Sequence, residues 1–126
     1  MRLPKITQIK KITCLEDQVL AGRFSEVIIS TPSQQFSLRC NPNTDELIIS
    51  KATKINKDRR EFFLVSGEYR VEWMWQMKNQ QGYNDGFRIQ IAAKQKCKVF
   101  DIVAIASGLQ IYEGRKWPIR INKLKN

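Results

Sequence analysis

The chain has 126 residues, which suits one compact domain over 1–126 with a core that needs neither metal nor disulfide staples. Its 42% hydrophobic and 27% charged content excludes a disordered chain, and a formal net charge of +10 favours acidic partners. Histidine is absent, which excludes Ser/His/Asp and Cys/His nucleophile systems and histidine-ligated metal sites.

Residues 5–13, KITQIKKIT, set Ile6, Ile9 and Ile12 three apart. That spacing suits one face of a helix, while the isoleucine and threonine content suits a strand equally, so both readings stand. CLEDQVLAGR then reads as a short helix ending at Gly22. FSEVIIST is a strand whose extension Pro32 limits. QQFSLRC alternates Phe36, Leu38 and Cys40 on one side, and CNPNTDELIIS supplies a polar turn and another strand, so 35–40 and 46–50 form a hairpin. KATKINKDRR is a loop or the lead into a short helix capped by Asn56, with Arg59 and Arg60 outside and Phe62 and Phe63 inside.

YRVEWMWQMK carries the clearest strand signal. Strict alternation sets Tyr69, Val71, Trp73, Trp75 and Met77 on a core face, with Met74 as the large apolar exception opposite. NQQGYNDG follows as a turn. Gly82, Asp85 and Gly86 are its structural residues, Asp85–Gly86 being a strong hairpin signal and Gly86 expected at positive φ. Phe87, Ile89, Ile91 and Ala93 then alternate with polar residues, so 69–78 and 87–94 should be antiparallel neighbours. VFDIVAIAS, apolar on both faces, reads as a central strand. LQIYE follows beyond Gly108, and WPIRINKLK closes the chain as an edge strand, because Pro118 cannot donate to a ladder. The fold class is mainly β, an antiparallel sheet or small barrel-like sandwich with one or two short helices. A helix near Asn56 would make it α+β instead.

The motifs exclude more than they identify. No glycine-rich phosphate loop is present. Cys14, Cys40 and Cys97 are odd in number and widely spaced, so free and largely buried thiols in a reducing compartment are expected, with no metal and no cofactor. MRLPKITQIKK has no apolar stretch of signal-peptide length, and no run approaches a membrane span, which points to a cytoplasmic location with no membrane association. A remote enzyme reading takes Asp85 and the following IQIAAK as the acid and lysine of a metal-dependent nuclease. Ala92 stands where the second carboxylate belongs, so no catalytic residue is assigned. Charge is uneven: residues 94–126 hold Lys94, Lys96, Lys98, Arg115, Lys116, Arg120, Lys123 and Lys125 against Asp101 and Glu113. Tyr83, in the turn, is the best candidate for an exposed ring. An interaction surface would draw on Tyr83, Asn84, Arg88, Lys94, Lys96, Lys98, Arg115 and Lys116.

The segment WMWQMKNQQGYNDGFRIQI, followed by IVAIASGLQIYE, resembles small bacterial proteins, cyanobacterial in type, of unknown function. The likeness spans the second half of the chain and implies no activity and no catalytic residue. Binding is therefore expected rather than catalysis. The first reading is a protein-interaction or regulatory module, with a protein partner or self-association. The alternative is a domain that binds nucleic acid weakly and nonspecifically.

Overall fold

A computed structural model describes residues 3–17, 23–52 and 61–114. Eight strands run in chain order: β1 (Gln8–Glu16), β2 (Phe24–Ser30), β3 (Gln35–Cys40), β4 (Leu47–Lys51), β5 (Glu61–Lys78), β6 (Asn84–Ala93), β7 (Lys96–Ile105) and β8 (Gly108–Gly114). Every pairing is antiparallel, and no helix occurs among the described residues. The order β1-β5-β6-β7-β8-β2 returns to its start through the β1–β2 pairing, giving a near-barrel. The β2–β8 seam is thin, with Phe24 opposite Leu109, and β3 and β4 continue outward from β2.

The ambiguity over residues 5–13 resolves as strand. Ile9 and Ile12 both join the core of a strand, and between them β5 has one residue more than β1 where it pairs from Ile9 to Lys11. Residues 14–16 of the expected second helix also belong to β1, while 18–22 lie outside the described residues, as do Asn56 with the helix it was expected to cap and the closing strand at 117–125. Phe62 and Phe63, expected inside, stand in β5 at 36% and 62% exposed. Phe62 meets Phe24 edge-on at 6.1 Å, and the Lys11 ammonium lies 5.8 Å from the Phe63 ring centre, so each ring has a partner on the surface.

The core gathers the inward residues of all eight strands. Phe87, Ile89 and Ile91 of β6 meet Phe100, Ile102 and Ala104 of β7, closed over by Ile9, Ile12, Val27, Ile29, Leu38 and Leu47. Each fully buried large side chain contributes on the order of 1.5–3 kcal/mol, which lets the sheet close without staples.

β5 bends this sheet. Its first half pairs with β1 and its second half with β6, and Arg70 sits opposite both Gln8 and Ala92. The register shifts between Val71 and Trp73, where β5 has one residue more than β6. The extra residue is Glu72. It reverses the facing of all that follows, so Met74 packs against the core and Trp73 is 54% exposed. The core face expected from strict alternation over 69–77 therefore holds only at Tyr69 and Val71.

The β5–β6 turn is shorter than expected. Asn79 organises it: its N–H donates to the Tyr83 carbonyl at 2.9 Å, and its side-chain oxygen accepts from the N–H groups of Gln81 and Tyr83 at 2.9 and 3.1 Å. Gly82 takes φ +88°. Asp85 and Gly86 are not turn residues. Both lie in β6, with Asp85 the extra residue where the register shifts between Met77 and Lys78, and Gly86 has no positive φ. A Cβ at Gly86 would stand 2.5 Å from Met77 Cε and 3.1 Å from Met77 Cβ, so the Met77 side chain would have to move to admit one.

Gly86→Ala should destabilise the protein by about 1–3 kcal/mol through overpacking. Adding Met77→Ala should recover part of the loss, with a coupling of at least about 0.5 kcal/mol. Denaturant midpoints of the four proteins in the cycle measure it. Strictly additive losses would instead indicate a backbone origin.

Candidate functional site

The reversed facing after Glu72 builds one feature on the outer side of β5–β8. Trp73 and Trp75, two apart, stack with ring centres 5.9 Å apart and planes 21° apart. Cross-strand register then sets Trp75 opposite Arg88, Arg88 opposite Asp101, and Asp101 opposite Tyr112, so four strands contribute one row. Tyr112 is 53% exposed and its hydroxyl donates to Gln110 at 2.6 Å.

The charges in this row are mutually satisfied. Arg88 meets Asp101 through two bonds, Nε to Oδ1 at 2.6 Å and Nη2 to Oδ2 at 2.8 Å. Those bonds to Asp101 raise the Arg88 pKa, and the two-point contact fixes the orientation of the guanidinium in the strand opposite Trp75. Next to Trp73, the Glu72 carboxylate accepts from Gln90 Nε2 at 3.0 Å and from the Cys97 thiol at 3.4 Å, and lies 3.7 Å from the Arg70 guanidinium. The patch is thus two stacked indoles and a phenol around a neutralised ion pair.

The expected surface residues do not form one patch. Tyr83, 40% exposed, and the buried Asn84 lie at one end of β6. Lys94 and Lys96 lie at the β6–β7 turn, roughly 30 Å away by the strand rise. Lys98 is half-buried opposite Ile91, Arg88 alone reaches the aromatic row, and Arg115 and Lys116 lie outside the described residues. The same separation breaks the nuclease layout, since Asp85 and Lys94 stand at opposite ends of β6. No three carboxylate or thiol groups come together in a metal-sized cluster among the described residues. Trp73 and Trp75 escaped sequence reasoning because nothing in the composition marks Glu72 as the extra residue. The available signal was Met74, a large apolar side chain out of phase with its neighbours.

The cysteines are free. Cys14 is wholly buried in β1, and burial pushes its thiol up to about 12. Cys40 is pushed up to about 11, first by burial and then by the Asp45 carboxylate beside it. Cys97 lies half-buried against Glu72. No helix among the described residues is long and apolar enough to cross a membrane.

The chain belongs to a family of unknown function, DUF6334, whose match spans residues 2–117. No curated protein and no solved structure matches it.

Two outcomes follow from this geometry. Trp73→Ala should cost less than about 1 kcal/mol, whereas Phe87→Ala in the core should cost about 3–5 kcal/mol, as measured by denaturant melts. Cys14 should make stability fall at alkaline pH. Its thiol ionises near 9.0 when unfolded and near 12 when folded, so its contribution is complete below pH 9 and declines as pH rises towards 12. The decline is about 1.4 kcal/mol per pH unit, and Cys14→Ala should flatten the slope over that window by this amount while lowering stability below it.

Proposed function

We propose that this family member is a small protein-interaction module of the bacterial cytoplasm that docks a partner protein on the outer face of β5–β8. One observation carries the reading: Trp73 is 54% exposed while stacked on Trp75, which stands opposite Arg88 in the row that ends at Tyr112. Leaving an indole half in water forgoes stabilisation that the core would otherwise gain from it. Tryptophan, tyrosine and arginine are also the residue types that dominate interface energies when a partner excludes water from them. Stacking restricts the rings before contact, which lowers the entropic cost of ordering them on binding.

The chemistry of the face favours a protein over a nucleic acid. Arg88 is committed to Asp101, and Glu72 adds a carboxylate beside Trp73, so among the described residues of the aromatic row a phosphate chain would meet no uncompensated cation. The matching partner surface is apolar and carries little net charge where it covers the indoles. The reading is one of binding and needs no catalytic group or cofactor.

The test is affinity capture of tagged protein from its own cells, run in parallel with Trp73→Ala and with Lys51→Ala as a distant control. A protein retained by wild type and by Lys51→Ala but lost with Trp73→Ala is then purified and titrated. Its affinity should fall at least about 30-fold with Trp73→Ala, the equivalent of about 2 kcal/mol. Equal affinity for wild type and Trp73→Ala would sink the assignment of this face.

A further inference from the structure

A second surface, apart from the aromatic face, lies where β1 begins, β5 passes Gly67 and β6 turns into β7. Three clefts adjoin there. The central one, about 320 Å³, shares Gln8 and Pro32 with one neighbour and Glu68, Tyr69, Ala93 and Lys94 with the other. Together they make one groove crossing β1, β5 and the β6–β7 turn. Its cations are Lys5, Lys10, Arg70, Lys94 and Lys96, and its one carboxylate is Glu68. No ion pair joins Lys10, Lys94 or Lys96 to a carboxylate among the described residues. Five positive charges stand against Glu68 in the groove and Glu72, 3.7 Å from Arg70, and in a concave surface this excess focuses a positive field.

Lys94 adds an independent observation. It lines two of the three clefts and holds φ at +51°, a conformation that glycine takes freely and lysine rarely. A two-residue turn between the paired Ala93 and Lys96 demands that φ, and the position keeps a lysine where glycine would be easier. We propose that this groove binds the sugar–phosphate backbone of single-stranded nucleic acid without reading base sequence. The groove is extended, as a polyanionic chain requires. Its cations come from β1, β5 and the β6–β7 turn, so they can meet successive phosphates whatever bases follow.

The experiment is a salt series of binding titrations with a fluorescent oligothymidylate and a duplex of equal length. Single-strand binding should show a log–log salt slope of about 2–3, from three or four phosphate contacts at about 0.7 each. Lys94→Gly with Lys96→Ala should lower that slope by about 1.4, and Arg70→Gln by about 0.7, while Lys51→Ala outside the groove leaves it unchanged. Lys94→Gly alone should raise the denaturant midpoint while weakening binding, an opposed pair of effects that a purely structural lysine would not give. The proposal is overturned if the slope ignores the groove variants, if the duplex binds more tightly than the single strand, or if single-strand binding vanishes near physiological salt.

Discussion

A β-strand has a side-chain period of two, so inserting one unpaired residue sends every later side chain to the opposite side of the sheet. Glu72 is that residue in β5. Before it, Tyr69 and Val71 contribute to the core. After it, Met74 takes the core position and Trp73 is left outside. The aromatic row across β5–β8 exists because of this single shift, since cross-strand register aligns Trp75 with Arg88, Asp101 and Tyr112 only in the shifted phase. Glu72 is also held in place by Gln90 and Cys97 from the neighbouring strands, so the irregularity is bonded on the side where it emerges. Bulges of this kind recur where a sheet must redirect a side chain.

The parts of the fold legible in sequence were those where local pattern and pairing agree. The hairpin of β3 and β4 follows from alternation in QQFSLRC and the polar turn after it, and the pairing of β5 with β6 follows from two alternating runs separated by a short turn. The central place of β7 follows from apolar residues on both faces of VFDIVAIAS. What failed was phase. Ile6, Ile9 and Ile12 carry a helix-like spacing yet all are buried along an extended segment, and the tryptophans mimic a core stripe because Glu72 is inserted in their own strand. Glycine misled in a related way. Gly86 sits in DG, a strong turn dipeptide, yet lies in β6 against Met77, a contact across strands that no local pattern reports. The candidate site was least legible, because its residues come from four strands and its key exposure depends on one extra residue.

Charge and aromatic surface are divided between two addresses. Along β5, Arg70 opens onto the groove and Trp73, three residues later, opens onto the aromatic face. Glu72 lies between them and pairs weakly with Arg70 at 3.7 Å, an exposed contact worth little by itself. The aromatic face is neutralised by Arg88–Asp101, while Lys10, Lys94 and Lys96 in the groove have no such partners among the described residues. The positive charge of the described residues is therefore uneven. Part of it is concentrated in a concave region, where it acts at longer range than charges scattered over a convex surface.

The hairpin turns sharpen that contrast. The β7–β8 turn holds Ala106 at φ +48° and Ser107 at +67°, a two-residue turn in which glycine or asparagine would be easier. Its strain is matched by bonds from elsewhere: the Ser107 N–H donates to Asp45 at 2.9 Å, and the Arg23 guanidinium donates to the Ile105 carbonyl at 2.6 Å. The turn thereby ties β3–β4 and the start of β2 to β8, reinforcing the thin β2–β8 seam, so the fold itself accounts for it. Lys94 carries comparable strain in the β6–β7 turn, yet no side chain among the described residues bonds to that turn from another element. Closing the hairpin does not require a lysine at that φ, and packing does not hold it there, because Lys94 is exposed. What distinguishes the position is its place between two adjoining clefts of the positive groove. One strained turn is explained by the contacts it makes within the protein, and the other has no such contacts among the described residues and finds its explanation only in the binding role proposed for the groove.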